Sequence, residues 1–226
     1  MKIILVPYRD RIEHKTFFLN YLDKVVDDYK VFFVHQCDDR PFNRGAMKNI
    51  GFLAVRAMFP DYKNITLVFN DVDIMPYTKG VFAYDTVPGV IKHNYGYTTC
   101  LSASFAIKAG DFEAINGFPN LWEWGLEDTM IQDRALQAKM VIDRAHFHPV
   151  GSRKVLQLFD GMERMVAARG LKATAAAHQN DGLRSIKCAF EVEGNMIQVR
   201  SFQVPHAPVP TVTKNIQTLG VNFKIK

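Results

Sequence analysis

Three short apolar runs, at residues 2–6, 31–35 and 65–70, are separated by two longer stretches with helical spacing of apolar and charged residues. These cover residues 11–29 and 43–58, the second stopped by Pro60. A β-α-β-α-β beginning commits a chain to a mostly parallel sheet covered by helices, because parallel neighbours need a crossover between them. In such sheets ligands gather beyond the carboxyl ends of the strands. The third run ends in Asn70-Asp71-Val72-Asp73, so acidic side chains are expected at that edge.

Further along, residues 98–107 read as another strand, Asn116-Gly117-Phe118-Pro119 as a turn, 127–138 as a helix and 140–148 as a strand. Residues 154–168 have the pattern of a helix closed by Gly170. Two runs, 183–192 and 196–204, flank Glu193-Gly194-Asn195 as a β-hairpin, and a Pro-rich surface stretch at 204–210 precedes a last short strand. The length, 226 residues, suits one α/β domain. The net charge of +5 is spread among acids without a basic block, which argues against nucleic acid and suits a diphosphate ligand. Three scattered cysteines, Cys37, Cys100 and Cys188, argue against a disulfide framework. The apolar run before Pro7 is too short for a signal-peptide core or membrane span, so the expectation is a soluble, cytoplasmic chain.

Residues two apart in an extended chain point to one side, so Asp71 and Asp73 can face a common site and favour a divalent cation. Acids at strand ends are also ordinary turn residues, so the pair needs partners. His146-Phe147-His148 has the same spacing and can present two imidazoles together, although two half-exposed histidines at a strand end would look the same. Joined to the acids, they make a mixed nitrogen and oxygen set that favours Mn²⁺ over Mg²⁺, with Zn²⁺ also compatible. Trp122-Glu123-Trp124-Gly125-Leu126-Glu127-Asp128 puts both tryptophans and three acids in seven residues. Rings stack on sugar faces and carboxylates accept from hydroxyls, so Trp122, Trp124, Gly125, Glu127 and Asp128 form a candidate carbohydrate site; the two acids equally suit a helix N-terminus. Pro7-Tyr8-Arg9-Asp10-Arg11 and Phe42-Asn43-Arg44-Gly45 place arginines where they can clamp a phosphate.

Taken together, these segments resemble the β-1,4-galactosyltransferases of glycosyltransferase family 7 and their relatives that transfer N-acetylgalactosamine. The resemblance rests on VPYRDRIEH at 6–14, FNRGAMKNIGF at 42–52, FNDVDIMP at 69–76, INGFPN at 115–120, WEWGLED at 122–128, HFH at 146–148 and NDGL at 180–183. It implies a GT-A type fold over residues 1–226, with a nucleotide-binding half to about residue 75 and an acceptor and metal half after it. It also implies an inverting, Mn²⁺-dependent transfer of galactose or N-acetylgalactosamine from a UDP-sugar to a hydroxyl of a carbohydrate acceptor. By position, Pro7, Arg9, Arg11, Phe42, Arg44, Asp71, Asp73 and Trp124 would hold the donor. Asp73, His146 and His148 would bind the metal, in the His-x-His manner of some family members. Trp122, Trp124, Gly125 and Glu127 would meet the acceptor, and Asp128 would be the general base.

Thr129 stands where the family usually has another acid, which leaves the acceptor open. Thr98-Thr99-Cys100-Leu101-Ser102-Ala103 replaces an aromatic residue and a Gly-rich run beside the donor sugar, and its smaller side chains suit an N-acetyl group. Family members in animals are anchored in the secretory pathway; the sequence shows no anchor, which points to a microbial or viral enzyme. The rival readings are a catalytically silent binding module and a metal-dependent nucleotidyltransferase, for which the Trp-rich loop has no use.

Overall fold

The computed structural model describes residues 1–122, 124–159, 164–167, 178, 180–208 and 211–214, the strands at 164–167 and 211–214 by backbone alone. In chain order the elements are β1 (Lys2–Tyr8), α1 (Ile12–Val25), β2 (Tyr29–Gln36), α2 (Arg44–Met58), β3 (Thr66–Asn70), β4 (Ile74–Pro76), β5 (Val90–Gly96), β6 (Ser104–Lys108), α3 (Ala109–Ala114) and α4 (Glu127–Gln137). There follow β7 (Val141–Asp143), β8 (His148–Pro149), β9 (Val155–Gln157), β10 (Arg164–Ala167), β11 (Lys187–Glu193), β12 (Met196–Gln203) and β13 (Thr211–Lys214). Among the described residues, one nine-stranded sheet runs β11-β12-β2-β1-β3-β6-β5-β7, with β8 also on β5. The chain thus has the expected α/β, GT-A type architecture, a mostly parallel sheet flanked by helices. The expected C-terminal hairpin is β11-β12, and it extends the sheet by pairing parallel to β2.

The apolar run of β1 is continuous because both of its faces are covered. Ile3 and Leu5 pack toward α2, whereas Ile4, Val6 and Tyr8 pack with Phe18, Leu22 and Val25 of α1. Each fully buried side chain of this size contributes about 1.5–3 kcal/mol. α2 is the central helix: Gly45 through Phe52 are all buried, and the Asn43 side chain caps its start by accepting from Ala46 N–H at 2.9 Å.

Strand directions decide where the site forms. β1, β2 and β3 run parallel, and β6 returns antiparallel with Ser104 opposite Asn70. β5, antiparallel to β6, ends at the same edge with Tyr95 and Gly96. One rim therefore collects the ends of β1, β3 and β5 and the start of β6.

Three expectations are corrected. The stretch 98–107 is a strand only from Ser104; before it the chain loops, with Ala103 at positive φ and Leu101 N–H bonded to Asp128 C=O at 3.0 Å. The stretch 140–148 is broken after Asp143 by a turn in which Phe147 N–H meets Arg144 C=O. The stretch 154–168 is no helix where described: β9 pairs antiparallel with β4, and β10 with β13. Val155, Leu156 and Leu158 bury against Ile74 and Met75, and that tertiary pairing overrides local helical spacing. The rest of that stretch, including Gly170, lies outside the described residues, as does Glu123. Among the described residues no helix is long and apolar enough to cross a membrane, and the three cysteines are unpaired.

Candidate active site

A cleft of about 550 Å³ opens at that rim. Pro7, Arg9 and Arg11 enter it from the end of β1, Phe42 and Arg44 from the start of α2, and Asp71 and Asp73 from the end of β3. Tyr95 and Tyr97 line it at the end of β5, Cys100, Ser102 and Ala103 before β6, and Trp124, Gly125, Glu127 and Asp128 at the entry to α4.

The charged floor is built around Arg44. Its Nη2 donates to both oxygens of Asp71 at 2.7 Å, its Nη1 to Glu127 Oε1 at 3.3 Å, and its Nη2 lies 3.8 Å from Asp128 Oδ2. These carboxylates raise the Arg44 pKa against the opposing effect of burial. The guanidinium ties the end of β3 to the start of α4 while lining the cleft. Arg9 is also held, donating to Arg40 C=O at 2.7 Å with its guanidinium over the Phe42 ring.

Glu127 is buried and Asp128 beside it partly so, and their environments push them apart. Burial, then the charge of Asp128, raises the Glu127 pKa, and among the described residues Glu127 Oε2 meets no hydrogen-bond partner. Burial also works to raise Asp128, but Lys48 and then Arg44 outweigh it and hold that carboxyl below its ordinary value. Two neighbouring carboxylates separated in this way are a general signature of divided acid and base roles. Lys48, buried in α2, donates to Asp128 Oδ1 at 3.1 Å.

Two expected groupings are not met. Trp122 is 3% exposed and lies away from the cleft: its ring stacks on Phe202, Arg40 lies over it, and its Nε1–H donates to His206 C=O at 2.6 Å. It is a core side chain that anchors the loop, while Trp124, 37% exposed, faces the cleft. His146 and His148 share a depression with Lys79 and Lys154 rather than with Asp73, and His148 Nε2 lies 3.3 Å from Val81 C=O. The turn at 144–147 breaks the extended geometry that would have aimed both imidazoles along one strand face. Among the described residues no three His, Cys, Asp or Glu side chains stand together as a metal set.

The first 83 residues match the sequence pattern of the N-terminal region of glycosyl transferase group 7, and residues 89–156 match that of the N-terminal domain of galactosyltransferase. The chain belongs to that family. Mouse β-1,4-galactosyltransferase 1 is 33% identical over 154 residues, 62% of this chain and 38% of the mouse protein. The Caenorhabditis elegans xylosylprotein 4-β-galactosyltransferase is 30% identical over 155 residues, 62% of this chain and 52% of the worm protein. The chain thus aligns with between about a third and half of the length of these relatives. In fold it is similar to a Drosophila β-1,4-galactosyltransferase 7 variant crystallised with manganese, UDP-galactose and xylobiose. That likeness has a TM-score of 0.73 at 18% identity, covering 88% of this chain and 92% of the fly chain.

Several residues of the family motifs carry structure that sequence reading left unassigned. Buried Asn49 of α2 donates to Phe118 C=O and accepts from Phe118 N–H, at 2.8 and 2.9 Å, and Asn43 donates to Asn120 C=O at 3.1 Å. Asp181 in turn accepts from Asn120 N–H at 2.8 Å and Ser185 Oγ at 2.6 Å. The motifs at 42–52, 115–120 and 180–183 therefore form one buried polar lattice that fixes the turn leading into the Trp loop. Lys48, which holds Asp128, carries no spacing signal, because a single Lys in an amphipathic helix reads as an ordinary surface residue.

Proposed function

We propose that the protein is an inverting glycosyltransferase that moves galactose or N-acetylgalactosamine from a UDP-sugar to a hydroxyl of a carbohydrate acceptor, with Asp128 as general base. The observation that carries this reading is a partly buried carboxylate, Asp128, paired with Lys48 and Arg44, held below its ordinary pKa and lining the same cleft as Asp71 and Asp73. Family membership and the manganese and UDP-galactose complex of the Drosophila neighbour support it. In the proposed step Asp128 takes the acceptor hydroxyl proton as the oxygen bonds to the anomeric carbon. The bond from that carbon to the UDP oxygen breaks on the opposite face, its electron pair leaving with UDP, so a single displacement inverts the centre. Trp124 and Tyr97 offer rings to sugar faces. The small walls at Cys100, Ser102 and Ala103 leave room for an N-acetyl group, so both donor sugars fit the proposal.

A divalent ion, Mn²⁺ in the first instance, would offset charge developing on the departing diphosphate. Asp73 is the proposed carboxylate ligand, and it faces the cleft. As folded, the described residues do not present a complete ligand set with it. The test is UDP release from UDP-galactose and UDP-N-acetylgalactosamine, with N-acetylglucosamine or xylose as acceptor, with Mn²⁺ or EDTA, beside Asp128→Asn. Metal-dependent release that falls by about 10²–10⁴-fold in Asp128→Asn with UDP affinity retained is the expected result. Donor binding without turnover on any acceptor would instead favour a binding module.

A further inference from the structure

The structure assigns a role to Lys48: we propose that it is a positioning residue that fixes the Asp128 carboxylate and sets the pH range over which that group works. This rests on Asp128 being the base. Lys48 is 2% exposed in its side chain and does not line the cleft, so it acts on substrate only through what it holds. Its Nζ donates to Asp128 Oδ1 at 3.1 Å and sits 4.3 Å from the centroid of the Phe118 ring. The Phe118 backbone is fixed by two hydrogen bonds with Asn49, one residue further along α2 than Lys48, so the ammonium is aimed by the buried lattice described above.

The other oxygen, Oδ2, has a longer contact, 3.8 Å to an Arg44 already bound to Asp71. Lys48 therefore occupies Oδ1 and leaves Oδ2 as the oxygen that receives the proton. The charged and titratable groups acting on Asp128 are Lys48 and Arg44 from α2, Glu127 beside it on α4 and His93 from β5, with Cys100 of the loop before β6 nearby. Of the side-chain charges, Lys48 has the largest effect and it favours the ionised form. An opposite charge this close lowers a carboxyl pKa by about 1–3 units, and a displacement of about 1 Å at a reacting group costs about 10²-fold in rate.

The experiment compares kcat and kcat/KM against pH for wild type, Lys48→Met, Lys48→Arg and Asp128→Asn, with UDP affinity measured by calorimetry. Lys48→Met is expected to lose on the order of 10²-fold in kcat at unchanged UDP affinity. Its acidic limb should move up by about one pH unit or more, because the base then protonates sooner. Lys48→Arg keeps the charge and should keep the limb close to wild type, which a purely structural role would not require. If Lys48→Met does not fold, Lys48→Gln, which retains an N–H but no charge, reads the same limb. The shift is also followed without turnover from the Asp128 carboxyl resonance by carbon NMR, assigned through Asp128→Asn. An unmoved limb and resonance in a folded Lys48 variant, with Asp128→Asn inactive, overturns the role of Lys48 alone. An active Asp128→Asn removes the base and this inference with it, while a moved resonance would still show that Lys48 governs the carboxylate.

Discussion

His93 lies in β5, 1% exposed, beside Tyr95 and Ser102, which line the cleft. Its Nε2 is 3.2 Å from Tyr95 C=O and 3.3 Å from Ser102 C=O, and its Nδ1 accepts from Arg144 Nε at 3.1 Å. The network thus assigns a neutral ring with its proton on Nε2; protonating Nδ1 would put a second cation against Arg144. Burial first, and then the Arg144 charge, bring the His93 pKa from 6.5 down to about 4. Between those values the unfolded chain binds a proton that the folded one refuses, so stability rises with pH across this window and is lost as pH falls. Integrated from about pH 7.5 to about pH 5, the loss from this one group is about 2 kcal/mol. Urea denaturation of wild type and His93→Gln at both pH values isolates it. Gln can supply one donor and one acceptor but does not titrate, and the carboxylate contributions are common to both proteins. The wild-type stability should fall by about 2 kcal/mol more than that of the variant. Parallel losses in the two proteins would refute the reasoning, and with it the reading of His93 as a neutral ring clamped by Arg144.

The two tryptophans should separate by readout: Trp122→Ala is expected to cost about 3–5 kcal/mol in a thermal or urea melt, since it empties a packed core site. Trp124→Ala should leave the melt within about 0.5 kcal/mol and lower turnover instead, because that ring faces the cleft. Gly45→Ala gains about 1 kcal/mol of helix propensity, yet its Cβ would lie 2.0 Å from the Pro119 carbonyl oxygen. A net destabilisation of about 1–3 kcal/mol in urea is expected, accompanied by weaker UDP binding as the start of α2 is displaced.

Much of the architecture is legible in the sequence. β1, α1, β2, α2 and β3 fall where apolar runs and helical spacing put them, within a few residues, and the hairpin follows its Glu193-Gly194-Asn195 turn. The rule that ligands gather beyond strand ends correctly drew attention to Asp71 and Asp73, which line the cleft. What failed was short or decided by remote partners. β5 has no clean alternation because five of its seven positions are buried, and β9 is a strand only because β4 lies beside it.

The same division runs through the site. The sequence alone determined the α/β class, the sheet edge at which the cleft opens and the motif set that marks the family, because each depends on local periodicity or on residues near in the chain. Only the tertiary structure decided that Trp122 is core while Trp124 lines the cleft. It alone showed that Arg44 is spent on three carboxylates, that Lys48 reaches Asp128 across 80 residues of chain, and that the histidines of the HFH segment stand apart from Asp73. Those outcomes turn on burial and on contacts between segments distant in sequence, where the energy of a buried charge depends on what surrounds it rather than on which residue carries it.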